Sequence, residues 1–148
     1  MAEVSKGGEP VQPLFGPFAC VAVNSPPTIC LPHRDSKNVM AGVCCIIPFG
    51  HFEPTSARLV VGEIEVEIEV AAGVPIFIPS AIFTHWNTQL EGLGVRGSVV
   101  YWSGASLLQW AQLGYRALKT LSEEEASLWR ASAQSRLKEG LDRFPLVD

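Results

Sequence analysis

Long apolar runs are the first thing missing: no segment of the 148 residues approaches the ~20 consecutive apolar residues of a membrane-spanning helix. The opening MAEVSKGGEP also lacks the basic-then-apolar order of a secretory signal. The expectation is an intracellular protein, nuclear or cytoplasmic, with no membrane association. Paired cysteine motifs are missing too. Cys20, Cys30, Cys44 and Cys45 make no C-x-x-C, and on a strand Cys44 and Cys45 would point to opposite faces, which suits no single zinc ion. Reduced, buried thiols are expected. Positive charge is scarce: 11 Lys and Arg against 15 Asp and Glu leave a formal net charge of -4, which gives no electrostatic footprint for non-specific polyanion binding. Without repeats or low-complexity tracts, the chain reads as one domain whose apolar content suffices to bury a core without disulfides.

Along the chain, residues 1–17 carry Gly7, Gly8, Pro10, Pro13 and Gly16 with little periodicity and read as an extended arm. From Phe18 the pattern becomes short apolar or alternating runs, FACVAV, TICL, GVCCIIP, ARLVV, EIEVEIEV, VPIFI, IFTHWN and VRGSVVYW, bounded by Gly, Pro, Asn or Ser. Eight such strands with no helical pattern between them predict a mainly β fold, an antiparallel sandwich or barrel such as a jelly roll, over residues 18–104. Within EIEVEIEV the strict alternation puts Ile64, Val66, Ile68 and Val70 inward and four glutamates on a solvated face. Two helices follow and are expected to cap one sheet over residues 105–140. Leu107, Ala111, Tyr115 and Leu118 recur at helical spacing from Ser106 to Lys119. Ser122 and Glu125 have capping-box spacing ahead of a helix to Glu139, with Ala126, Trp129, Ala133 and Leu137 on one face and Gly140 at its end.

The chemistry concentrates in LPHRDSKN. His33 and Asp35 are two residues apart, so in extended backbone both side chains point to the same face and Arg34 points away. An imidazole and a carboxylate supply two adjacent ligands to a divalent metal, and one further histidine completes the facial set of iron(II) oxygenases, which leaves coordination positions open. His85 is the best third ligand, because Gly73 and Pro79-Ser80 punctuate the chain before it and deliver it on a fresh strand. If TQLEGLG is a hairpin loop, VRGSVVYW returns as the partner strand and Arg96 stands nearly opposite His85, with Ser98 on the same face. The guanidinium would then reach past the metal to the far carboxylate of a chelated acid, a task its planar fork suits and one that would justify burying an arginine. Asn38 and Asn87 are candidates for hydrogen bonds to cosubstrate or substrate, with local backbone as the alternative. His51 reads as a loop histidine and Arg58 as a rim or structural residue.

H-R-D, the T-H-W-N segment and the R-G-S strand together resemble the double-stranded β-helix superfamily of iron(II)/2-oxoglutarate-dependent dioxygenases over roughly Phe18 to Tyr115. More narrowly, HRDSKNVMAGVCCIIPFGHFEP, the G-x-P-x-x-I-P-S-A strand, H-x-N, R-x-S and the helical QWAQLGYR are similar to fungal Tet/JBP-like oxygenases. The resemblance implies His33, Asp35 and His85 as catalytic iron(II) ligands and Arg96 with Ser98 as 2-oxoglutarate contacts. It also implies molecular oxygen as co-reactant and a modified pyrimidine base in nucleic acid as the substrate. Two other classes share a barrel of this kind. A cupin-like metal enzyme fits Gly73 and Pro79, yet it would want H-x-H with a following glutamate, a histidine one place earlier, and would leave Arg96 without a purpose. A catalytically silent binding module would keep charged groups inside the barrel for no return in stability.

Overall fold

The computed structural model describes residues 16–142, together with the backbone of two short paired strands, β1 (Ser5–Lys6) and β2 (Glu9–Pro10). The rest of the arm expected over residues 1–17 lies outside the described residues. Seven more strands follow: β3 (Cys20–Asn24), β4 (Cys44–His51), β5 (Arg58–Val61), β6 (Val66–Glu69), β7 (Ile76–Ile78), β8 (His85–Asn87) and β9 (Val95–Trp102). They form two antiparallel sheets, the larger in the order β3-β9-β4-β7 and the smaller in the order β6-β5-β8. Three C-terminal helices complete the fold: α1 (Ala105–Gln112), α2 (Glu123–Ala131) and α3 (Ala133–Leu141). Among the described residues no helix is long and apolar enough to cross a membrane.

The core lies between the sheets, where Cys44 and Ile78 of the larger meet Leu59 of the smaller and the flanking Ala57 and Val70. Ile46, Val100 and Trp102 close over it. Burying a side chain such as Leu59 stabilises the fold by about 1.5–3 kcal/mol, so the cluster is sizeable though it shares the interior with a cavity. β4 and β9 form the longest ladder, from Cys45↔Tyr101 to His51↔Val95. Two glycines permit its close approach. Gly50 has φ +121 and a Cβ there would clash with the Val95 carbonyl, while a Cβ at Gly97 would lie 2.5 Å from the Phe49 ring and 2.6 Å from the Asn24 carbonyl. The four cysteines are free, with Cys44 and Cys45 both buried.

Several sequence expectations are corrected. TICL is not a strand: Thr28 and Cys30 bond through their backbone to the Asn87 side chain, so the segment is tethered by side chains instead of a ladder. EIEVEIEV is a strand only from Val66, because Val61↔Val66 closes the β5–β6 hairpin and the residues between them form its tip. Ile64 and Val66 are consequently exposed, while Val70 is buried as expected. The first helix stops at Gln112 because Gly114 and Tyr115 are both left-handed, with φ +64 and +63. The capping box of Ser122 and Glu125 is present, but the second helix divides at Ser132. There Ser132 Oγ and Arg136 Nη1 both donate to the Trp129 carbonyl, competing with the helical ladder. Arg136 also covers the Trp129 ring, 3.6 Å from its centroid, and Ala133 and Leu137 are exposed. The pairing of β8 with β9 does not occur: β8 pairs with β5, and β9 with β3 and β4, so residues 88–94 cross between sheets.

Candidate metal centre

His33 is joined to His85 by an isolated antiparallel bridge along the free edge of β8. The two residues exchange both backbone hydrogen bonds, at 3.1 and 2.9 Å, so directly opposed side chains emerge on one face. Asp35, two residues on, emerges there too, and its N–H donates to the Ser80 carbonyl at 2.9 Å. The imidazole centroids are 4.5 Å apart. His33 Nε2 lies 3.7 Å from Asp35 Oδ1, and His85 Nε2 lies 3.9 Å from Asp35 Oδ2. One donor atom from each of the three residues lies within 4.8 Å of the others.

Each ring is oriented from behind. His33 Nδ1 faces the Leu31 carbonyl at 2.7 Å and His85 Nδ1 faces the Phe83 carbonyl at 3.0 Å; a carbonyl only accepts, so Nδ1 is the donor in each ring and Nε2 is the atom turned toward Asp35. Asn38 Nδ2 donates to Asp35 Oδ2 at 3.2 Å and to Ser80 Oγ at 3.1 Å, fixing the carboxylate against a buried hydroxyl. Two imidazoles and one carboxylate, with His85 buried and His33 open to solvent, could hold a divalent transition metal and leave coordination positions free.

The same cavity, about 560 Å³ in volume, is lined by His33, Asp35 and His85 and by Arg96 and Ser98 from the opposite sheet. Arg96 is only 7% exposed. Its Nη2 donates to the carbonyls of Thr88 at 2.8 Å and Thr28 at 3.2 Å, whereas Nη1 is buried and finds no hydrogen-bond partner among the described residues. Burial pushes the guanidinium below its ordinary value, and it also pushes the neighbouring Cys30 thiol up, so no thiolate is there to compensate the charge. An unsatisfied donor on a buried cation is expensive, and an anion in this cavity would satisfy it.

Arg96 thus reaches the cavity, but from the facing sheet instead of the neighbouring strand expected from a hairpin; its backbone partner is Gly50. Ser98 accepts from Asn24 Nδ2 at 3.0 Å. Asn87 holds the wall beside Arg96, its amide bonded to Thr28 and Cys30 backbone. Arg58 lines the rim and pairs with Glu67 at 3.1 Å, and His51 ends β4. Sequence reasoning missed Asn24, Ser80 and the carbonyls of Thr28 and Thr88. None carries a motif, although the P-S of Pro79-Ser80 marked the turn that contains the serine.

No family model matches the sequence, and no curated protein matches it. Among solved structures, the fold is similar to that of NgTET1, the TET1 protein of Naegleria, in complex with 5mC DNA. The TM-score is 0.50 at 20% identity, covering 57% of this chain and 33% of that one. This chain therefore spans about a third of the neighbour's length, and the likeness is one of fold.

Proposed function

We propose that this protein is a non-haem iron(II)- and 2-oxoglutarate-dependent dioxygenase, related to the Tet/JBP-like oxygenases and built on a double-stranded β-helix. In this reading residues 18–148 are one oxygenase domain, with the jelly roll over 18–104 and the helical cap over 105–140. The observation that carries it is the unpartnered Nη1 of Arg96, buried in the very cavity where His33, Asp35 and His85 converge. A metal alone would leave that donor unsatisfied, and a dicarboxylate spanning the cavity would answer both ends.

His33, Asp35 and His85 would hold iron(II), which with 2-oxoglutarate and oxygen supplies the power to hydroxylate an unactivated C–H bond. Arg96 binds the distal carboxylate of the cosubstrate, with Ser98 and its partner Asn24 beside it. Asn38 keeps Asp35 aimed, and Asn87 keeps the Thr28–Cys30 wall against the guanidinium. Ile46, Val100 and Trp102 line the cavity and exclude water, which strengthens the charge-assisted contact at Arg96. The substrate suggested by the neighbour's bound DNA and by the sequence resemblance is a modified pyrimidine base in nucleic acid, in a nuclear or cytoplasmic setting.

Anaerobic addition of Fe(II) together with 2-oxoglutarate should produce the visible charge-transfer absorption of a chelated keto acid, which neither gives alone. Succinate release, screened against modified and unmodified oligonucleotides, nucleosides, peptides and small acids, then identifies the substrate. Metal binding with no such absorption would favour the cupin-like alternative, and no metal binding would favour a silent binding module.

A further inference from the structure

We propose that Arg34, Glu63 and Thr84 form a positioning clamp that sets the spacing of the metal ligands, with the Glu63 carboxylate as its hub; the proposal rests on His33, Asp35 and His85 being a metal site. The backbone of the segment bearing His33 pairs with β8 through one isolated bridge, and β8 itself is three residues long. Two backbone hydrogen bonds are a weak guarantee of ligand geometry. One step along from His33↔His85, the same register brings Arg34 opposite Thr84, and alternation sends both to the face opposite the three donor atoms.

On that reverse face the side chains interlock. Arg34 Nε donates to Thr84 Oγ1 at 3.0 Å, and Arg34 Nη2 donates to Glu63 Oε1 at 2.7 Å. The Thr84 hydroxyl donates to Glu63 Oε1 and the Thr84 N–H to Glu63 Oε2, both at 2.7 Å. One carboxylate therefore gathers the residue between His33 and Asp35 and the residue before His85. Glu63 is itself anchored in the β5–β6 tip, where Gly62 N–H donates to the Thr84 carbonyl at 2.8 Å and Glu65 is left-handed at φ +51. A Cβ at Gly62 would lie 3.1 Å from the Trp86 ring, so the tip sits closely against β8. A turn with a strained residue next to a cluster of donors is where geometry is imposed on a site. Groups that orient metal ligands from behind typically change affinity 10- to 100-fold when removed.

The test is titration of the metal-stripped full chain with Co(II), following both affinity and the d–d absorption bands, with circular dichroism confirming that each variant stays folded. Thr84→Val and Glu63→Gln should weaken Co(II) binding by roughly 10- to 100-fold and shift the bands, and Thr84→Ser, which keeps the hydroxyl, should stay close to wild type. If Glu63→Gln fails to fold, the Thr84 pair decides alone. Folded variants that bind with wild-type affinity and bands overturn the clamp and leave the metal site standing. Equal weakening by Thr84→Ser and Thr84→Val also overturns it, because the hydroxyl would then not be the operative group. A wild-type chain that binds no Co(II) removes the site and the clamp together.

Discussion

The two sheets hold their halves of the cavity by different means. The larger sheet presents Arg96 and Ser98 on β9, an eight-residue strand laddered to β4 along nearly its whole length. The smaller sheet presents His85 on three residues, with His33 bridged to it and Asp35 beyond. Ladder hydrogen bonds fix the backbone of the arginine end, and the Thr28 and Thr88 carbonyls hold its guanidinium. The end formed by His33, Asp35 and His85 draws its order largely from side chains: Asn38 and Ser80 on Asp35, carbonyls behind both imidazoles, and Glu63 behind Arg34 and Thr84. Charge follows the same division, for no strand of the larger sheet contains Asp or Glu, while the β5–β6 hairpin carries four glutamates from 63 to 69.

The largest effects should separate the two ends. His85→Ala removes the most buried of the three candidate ligands, and we expect no measurable succinate release and no charge-transfer absorption, with the protein still folded by circular dichroism. Arg96→Met should leave Fe(II) binding intact but weaken 2-oxoglutarate. Losing a buried charge-assisted contact costs about 2–4 kcal/mol, so the apparent affinity should fall roughly 30- to 1,000-fold in the same absorption titration. Equal damage to metal and cosubstrate binding by Arg96→Met would erase the distinction between the ends.

How much of this could be read from the sequence follows the same line. His33 and Asp35 were legible because a two-residue spacing has one geometric meaning in extended chain, and His85 because punctuation at Gly73 and Pro79-Ser80 isolates its strand. Arg96 was legible as a residue type but not as a neighbour. Alternation assigns a face to each residue and says nothing about which sheet a strand joins, so residues 88–94 read as a hairpin loop when they are a crossover. The same blindness merged the Glu63–Glu65 tip with β6 and hid the one glutamate that turns back on Thr84. The split at Ser132 was hidden because it depends on serine and arginine side chains reaching a carbonyl, not on helix propensity.

A smaller effect tests the rigidity of the larger sheet. Gly97→Ala would push a methyl group into the Phe49 ring and the Asn24 carbonyl, the residue whose side chain holds Ser98. Overpacking of this kind costs about 1–3 kcal/mol, to be read from urea denaturation, and 2-oxoglutarate affinity should fall while Co(II) affinity stays near wild type. A variant that loses metal affinity first would mean that the sheets are mechanically one.

The subtlest difference is in acid sensitivity. The hydrogen bond from the Thr84 hydroxyl above all, followed by those from the backbone of Glu63 itself, from Arg34 and from the Thr84 N–H, holds the Glu63 carboxyl down at about 2, against an ordinary value of 4.5. A group depressed in the folded state contributes stability that is fully present above its unfolded value and is lost as pH falls through its folded value. The contribution of Glu63 should therefore be constant above about pH 5.5, decline between roughly pH 5 and pH 2, and vanish below that. Glu63→Gln lacks the titrating group, so the gap in Tm between wild type and variant should close over the same interval. Since the strands of the larger sheet carry no carboxylates, acidification of the metal-free protein should release the amides of Thr84 and β8 to hydrogen exchange before those of β9. Simultaneous release of β8 and β9 would show that the smaller sheet is held by its backbone and core after all, with the Glu63 contacts incidental to its order.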